Sequence, residues 1–400
     1  MTAEKKAKCS TGLTGNIAVA YAMKQINPDV VAAYPITPST TVVEEFSSYV
    51  ADGAVTTELI TVESEHSAMS ACIGAAAAGA RVMTATSSQG LALMWEMLYI
   101  ASGMRLPIVM TCVNRALSAP LNIHCDHSDS MGARDSGWIQ LYSETVQEAY
   151  DNVVQAVRIA EHGNLLLPVM VCLDGFITSH SIENLCVFDD DTVKGFIGEY
   201  KLNQPSLLDV EHPTSYGAVA LPDSYIESRR QLAEAMINAK DVITDVAKEY
   251  EKVSGRHYGL MERYMMDDAD AAIVIMSSAA GTTKVAVDEM RKRGLKVGLL
   301  KPRVFRPFPY IEIADALKNI KSVAVLDRAD SYSSFGGPLF TEIRSSLYEL
   351  DKRPKIISRI FGLGGREYGV QDAVKIFEEL LKIKETGKVD KLYNYITVRE

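Results

Sequence analysis

The chain lacks any Cys-x-x-Cys pair. Its six cysteines, Cys9, Cys72, Cys112, Cys125, Cys172 and Cys186, are scattered over 400 residues. An iron–sulfur cluster held by this chain alone needs closely spaced thiolates, so any cluster belongs to another subunit. A disulfide framework is not expected in so large an intracellular chain. Phosphate motifs are missing too: Gly-x-x-x-x-Gly-Lys-[Ser/Thr] does not occur, and Gly362-Leu363-Gly364-Gly365 is followed by Glu367 where the dinucleotide fingerprint has its third glycine. There is no Gly-x-Ser-x-Gly elbow. These absences exclude a self-contained nucleotide enzyme or hydrolase. No run of like charges or basic–aromatic stripe interrupts a net charge of −10, which argues against a nucleic-acid partner. No stretch reaches the roughly 18–20 apolar residues of a membrane span, and no apolar core follows the charged N-terminus Met1–Ser10. A soluble cytoplasmic protein, with no membrane partner, is expected.

What is present is an α/β pattern. At 400 residues and 47% hydrophobic content the chain is too long for one core, so two or three domains are expected. Continuous apolar runs at Val30–Tyr34, Leu59–Val62, Val82–Thr86, Pro107–Val113 and Leu167–Leu173 alternate with helix-period segments. Strands that are apolar on both faces imply a parallel sheet covered by helices on both sides. From about Asp189 to Gly255 the pattern breaks at Pro205, Pro213 and Pro222 into a connector that ends in a polar helix from roughly Ser224 to Glu251. A second α/β unit follows, so residues 1–257 form the first domain with its connector and 258–400 the second.

In parallel sheets, ligands sit outside the carboxyl ends of the strands. There the first domain places Pro35-Ile36-Thr37-Pro38-Ser39-Thr40, Glu65, Ser87-Ser88-Gln89-Gly90 and Asn114-Arg115, with the long segment Ala116–Trp138 after Arg115. Glu65 opens a nearly uncharged, small-residue helix, where it either complements the helix dipole or faces a ligand with little water around it. Thr37 and Ser39 either cap the next helix or offer hydroxyls to a ligand. Arg115 suits either a surface ion pair or bidentate carboxylate recognition. His124-Cys125-Asp126-His127-Ser128-Asp129 contains metal-ligand types, but adjacent residues rarely converge on one ion, so a solvated or substrate-lining loop is the leading reading.

These segments carry a resemblance. Tyr34–Thr40, Val62–Ala68, Ala85–Met94, Val113–Leu117 and Asp126–Asp129 resemble the α subunit of the 2-oxoacid:ferredoxin oxidoreductases, and the pyruvate enzyme, pyruvate synthase, most of all. The resemblance runs from about Thr14 to the C-terminus, through Asp174–His180 and Lys301–Pro309. It implies a pyrimidine-type thiamine-diphosphate-binding domain followed by a transketolase C-terminal-like domain. The family holds the diphosphate and its metal on a Gly-Asp-Gly motif, which this chain lacks. A β subunit would then carry the diphosphate and Mg2+, and γ and ferredoxin-like δ subunits the [4Fe-4S] clusters. By position Glu65 matches the glutamate that hydrogen-bonds N1′ of the aminopyrimidine, with Glu63 its rival. Thr37 and Arg115 match substrate-carboxylate positions, and Pro35, Ser88 and Gln89 border the cofactor. The implied reaction converts pyruvate and coenzyme A to acetyl-CoA and CO2 with reduction of ferredoxin. The same chemistry on 2-oxoisovalerate, or a non-catalytic assembly subunit, are the alternatives.

Overall fold

The computed structural model describes residues 8–202 and 204–399, with side chains from Thr11 onward. The charged Met1–Ala7 stretch and the Cys9 side chain lie outside the described residues. A seven-stranded sheet forms the first layer. Its order is Val304–Arg306, Ile139–Ser143, Val169–Asp174, Val109–Asn114, Val82–Thr86, Val30–Ala33 and Glu58–Thr61. All neighbours pair in parallel except Val304–Arg306, which runs antiparallel to Ile139–Ser143.

The four inner strands between Ile139 and Thr86 in that order are buried at every residue, as their unbroken apolar runs require. Helices Gly15–Ile26 and Val146–Ala160 cover one face, and Glu65–Ala78 and Trp95–Gly103 the other. Ser64 caps Glu65–Ala78 by accepting the Ser67 N–H, and Gly79 ends it in a left-handed turn. Between those caps its alanines let the helix lie close to the sheet.

A second, six-stranded sheet has the order Tyr393–Tyr395, Lys355–Ile360, Ser322–Asp327, Ala271–Val274, Val297–Pro302 and Met261–Tyr264, parallel but for its last strand. Two parallel sheets with helical layers confirm the α/β expectation. Lys8–Thr14 and Ile182–Val187 pair as a separate antiparallel ribbon. Cys186 is disulfide-bonded, contrary to the expectation from chain length and cysteine spacing. Cys72, Cys112, Cys125 and Cys172 are free and buried.

The two sheets are joined through charge as well as chain. Lys301 Nζ meets Glu144 at 2.5 Å, Glu148 at 2.6 Å and Glu262 at 2.9 Å. Burial opposes the Lys301 charge, but the three carboxylates outweigh it and hold its pKa above the ordinary lysine value. Past the connector helix Tyr225–Ser254, the Arg256 guanidinium reaches Asp151 with both Nε and Nη2, at 2.6 and 2.8 Å.

Candidate functional site

The carboxyl ends of the first sheet's central strands converge on Glu65. It is the first residue of its helix and only 6% exposed. A Cβ on Gly90 would lie 2.7 Å from Glu65 Oε1 and 2.5 Å from Thr86 Oγ1, so only glycine fits against this carboxylate. Among the described residues no hydrogen-bond or ion-pair partner reaches it. Beside it, Thr86 Oγ1 and Ser87 Oγ are also buried and unpartnered. An unpaired buried polar group costs roughly 1–3 kcal/mol, more if charged. Glu63 is different: it is exposed and accepts the Ser67 hydroxyl at 2.8 Å, a bond that lowers its pKa.

Arg115 and Thr37 come together across the strand ends. Arg115 Nη1 donates to the Thr37 carbonyl at 2.9 Å and Nε to the Asn122 carbonyl at 3.0 Å. Arg115 is 7% exposed, and Nη2 is the guanidinium nitrogen without a partner among the described residues. The Thr37 side chain is exposed, as is Pro35 beside it. Asn16 anchors this turn by donating to the Pro38 carbonyl at 2.6 Å. Ser39 turns its hydroxyl back onto the Ile36 carbonyl at 2.8 Å instead of capping the helix Thr40–Ala51.

Ser88 is committed within the protein. Its hydroxyl lies 2.6 Å from both Ala116 O and Gln89 Oε1, and its N–H donates to Asp129 at 3.0 Å. Asp129 is the residue that sequence reasoning passed over. Fully buried, it also accepts the Arg115 N–H at 2.9 Å, the Ser130 N–H at 2.7 Å and Asn114 Nδ2 at 2.9 Å. Burial pushes its pKa up, against the pull of these donors. The sequence names it only within the His124–Asp129 stretch and the family segment Asp126–Asp129, and it stands in the first turn of the short helix Ser128–Gly132.

The other residues of the His124–Asp129 stretch bond within the protein. Asp126 accepts the Ser128 N–H at 3.0 Å and the Gly364 N–H at 3.2 Å. Cys125, His127 and Asp174 do lie near one another. Asp174, however, already accepts His127 Nε2 at 2.7 Å, Ser277 Oγ at 2.8 Å and Arg328 Nη1 at 2.7 Å. Burial opposes its charge, but Arg328 and His127 outweigh it and hold its carboxyl far below the usual range. This cluster ties the segment after Arg115 to the second sheet.

Residues 21–248 match the family model described as pyruvate flavodoxin/ferredoxin oxidoreductase, thiamine-diphosphate-binding. The chain belongs to this family. Residues 269–373 match the model of pyruvate:ferredoxin oxidoreductase core domain II. A pyruvate synthase subunit PorA of Thermotoga maritima is 56% identical over 92% of this chain and 94% of its own length. That of Methanocaldococcus jannaschii is 50% identical over 93% and 95%. A ketoisovalerate oxidoreductase subunit VorA of Pyrococcus abyssi is 46% identical over 95% of each. A solved 2-oxoglutarate:ferredoxin oxidoreductase from Magnetococcus marinus aligns with a TM-score of 0.73 at 21% identity, over 93% of this chain and 65% of that one, a likeness of fold.

The residues present fit one half of thiamine diphosphate. An uncommitted buried carboxylate stands near two unpartnered hydroxyls, with Gly90 packed closely against it. Nothing comparable to a metal–diphosphate motif accompanies it in the sequence.

Proposed function

We propose that this chain is the α subunit of a pyruvate:ferredoxin oxidoreductase, which converts pyruvate and coenzyme A to acetyl-CoA and CO2 and reduces ferredoxin. It is a 2-oxoacid:ferredoxin oxidoreductase subunit by family, and the 56% and 50% identical relatives named pyruvate synthase favour pyruvate. The observation that carries the site is the buried, unpartnered Glu65 against Gly90.

When bound, thiamine diphosphate supplies a carbon nucleophile and an electron sink for decarboxylation. Glu65 would hold the pyrimidine end of that group and the proton exchanged with its ring nitrogen, in a low-dielectric setting that strengthens such a bond. Arg115 neutralises the substrate carboxylate through Nη2, since Nε and Nη1 are occupied, and the Thr37 hydroxyl adds a neutral bond. Pro35 and Gln89 border the pocket. Ser88 fixes the Gln89 side chain at its edge.

A β subunit supplies the diphosphate and Mg2+ site, and γ and δ subunits the [4Fe-4S] clusters that pass electrons to ferredoxin. The missing Gly-Asp-Gly and Cys-x-x-Cys motifs support this division. No described helix is long and apolar enough to cross a membrane, which agrees with a cytoplasmic enzyme. Action on 2-oxoisovalerate is the second reading, favoured by the VorA relative. An assembly role without chemistry is disfavoured, because a scaffold gains nothing from a buried, unpaired acid.

The test is 2-oxoacid-dependent ferredoxin reduction under argon, by the chain alone and with its co-purifying subunits. Activity only in the assembly, with pyruvate preferred, supports the reading. A clear preference for 2-oxoisovalerate overturns the substrate, and tight thiamine diphosphate binding by the chain alone overturns the half-site.

A further inference from the structure

The segment that follows Arg115 is held from behind by the second sheet. Its residue Asn122 accepts Arg115 Nε on its backbone carbonyl at 3.0 Å, while its side-chain amide donates to the Gly364 carbonyl at 2.9 Å. Asn122 Oδ1 also accepts the His124 N–H at 2.7 Å, so this one side chain fixes the local turn. Three further bonds tie the loops of the two sheets together. Gly365 N–H donates to the Cys125 carbonyl at 2.8 Å, Gly364 N–H to the Asp126 carboxylate at 3.2 Å, and His127 N–H to the Arg328 carbonyl at 2.8 Å. Gly364 and Gly365 follow the strand Lys355–Ile360, and Arg328 follows its parallel neighbour Ser322–Asp327. The carboxyl ends of the second sheet therefore grip the loop on which the Arg115 guanidinium rests.

The approach is too close for a side chain. Gly364 and Gly365 have left-handed φ, at 58° and 80°. A Cβ on Gly364 would come 2.4 Å from Asn122 Nδ2, and one on Gly365 would come 2.5 Å from His124 Cβ. Left-handed φ alone accounts for glycine at many turns, and Gly294 has it, at 79°, with nothing within 4 Å of a Cβ. Gly364 has a contact to protect as well: a Cβ there pushes the Asn122 amide off the Gly364 carbonyl and disturbs the residue whose backbone carbonyl Arg115 Nε donates to. With Arg115 Nη1 on the Thr37 carbonyl at 2.9 Å, the Asn122 carbonyl is the second point that fixes the plane of the guanidinium and the direction of Nη2.

We propose that Gly364, acting through Asn122, is a positioning residue for the 2-oxoacid: the second sheet's loop sets the plane of the Arg115 guanidinium, and with it the direction in which Nη2 meets the substrate carboxylate. The second domain thereby shapes the substrate site without touching the substrate. The assignment rests on the reading of Arg115 as the carboxylate-binding residue. The path from Gly364 to Arg115 rests only on the geometry.

The test uses the complex assembled with its partner subunits, as wild type and with Gly364→Ala, Asn122→Ala, both changes together, and Gly294→Ala, which imposes a like backbone strain where a Cβ meets nothing. The KM for pyruvate should rise about three- to tenfold in Gly364→Ala and in Asn122→Ala, the range of one hydrogen bond's net contribution, with kcat within about twofold. Gly294→Ala should leave both unchanged. Because Asn122→Ala removes the amide that the new Cβ strikes, the double variant should have the KM of Asn122→Ala and not the product of the two effects. Unchanged KM in either single variant, effects that multiply in the double variant, or an equal rise in Gly294→Ala overturns the proposal. Hydrogen exchange reads the same loop without turnover. The Ala116 and His127 amides, bonded to the His124 and Arg328 carbonyls, should exchange faster in Gly364→Ala and as in wild type in Gly294→Ala. Unaltered exchange in Gly364→Ala overturns the proposal. Absence of 2-oxoacid turnover in the wild-type complex would instead count against the proposed function, while the exchange measurement still shows whether Gly364 sets this loop.

Discussion

The Asp129 carboxylate accepts the Arg115 backbone N–H at 2.9 Å while its other contacts include the Ser88 N–H at 3.0 Å. One buried acid thereby sets the spacing between the loop after Val82–Thr86 and the loop after Val109–Asn114. Asp129→Asn keeps the shape but replaces one acceptor oxygen with a donor facing N–H groups. The expected result is a 2-oxoacid KM raised by about tenfold, the effect of roughly 1.4 kcal/mol, with coenzyme A KM unaltered. Equal loss in every kinetic parameter, together with a lowered Tm, would reduce Asp129 to a structural role.

Glu65→Gln removes the charge with little change of volume. General acid–base contributions run to about 10²–10⁴-fold, and a loss of turnover in that range is expected in the assembled complex. Because the carboxylate is buried and unpartnered, the same change should hold or raise the Tm. Near-normal turnover would refute the assignment.

Gly90→Ala tests the close approach to Glu65. Its Cβ would meet Thr86 Oγ1 at 2.5 Å and Glu65 Oε1 at 2.7 Å, whereas at Gly74 a Cβ meets nothing within 4 Å. Thiamine diphosphate affinity in the complex should fall for Gly90→Ala and stay unchanged for Gly74→Ala. Equal affinities would mean that the Glu65 surroundings do not hold the cofactor.

Arg115→Lys keeps the charge and loses the fork. An ammonium cannot hold the Thr37 and Asn122 carbonyls and still present a free nitrogen in the Nη2 direction. The 2-oxoacid requirement should rise with kcat less affected, as steady-state kinetics will show. An unchanged requirement removes Arg115 from carboxylate binding.

Asp327 supplies a pH dependence. Burial is the main cause that pushes its carboxyl up to about 7, against the Leu339 and Phe340 N–H groups it accepts at 2.7 and 3.0 Å, and nearby Asp330 adds to the rise. The folded state holds this proton more tightly than the unfolded chain, whose Asp titrates near 4. Its contribution to stability is therefore complete below about pH 4 and is lost as pH rises through about 7. Thermal melts from pH 5 to 8 should show that decline in wild type, flattened in Asp327→Asn. Parallel curves would exclude it.

The sequence by itself determined the strands, because runs such as Val109–Asn114 and Val169–Asp174 can be apolar on both faces only inside a covered parallel sheet. It also placed Glu65, Thr37 and Arg115 at strand ends, and the family segments around them were readable as residues in order. The sequence left the short strand Val304–Arg306 unmarked, since three residues joining the other unit's sheet carry no periodicity. The family position already favoured Glu65 over Glu63, two positions before it, but only the helix start shows one buried and the other in solvent. The role of Asp129 was not legible, because beside the neighbouring Ser130 its donors come from Ser88, Asn114 and Arg115, in other loops and strands. The bonds from Asn122 to Gly364 and from Asp174 to Arg328 likewise span more than 150 positions. Periodicity and motif are local properties of a chain, whereas burial, partner choice and the company a charge keeps are set only when distant segments are packed together.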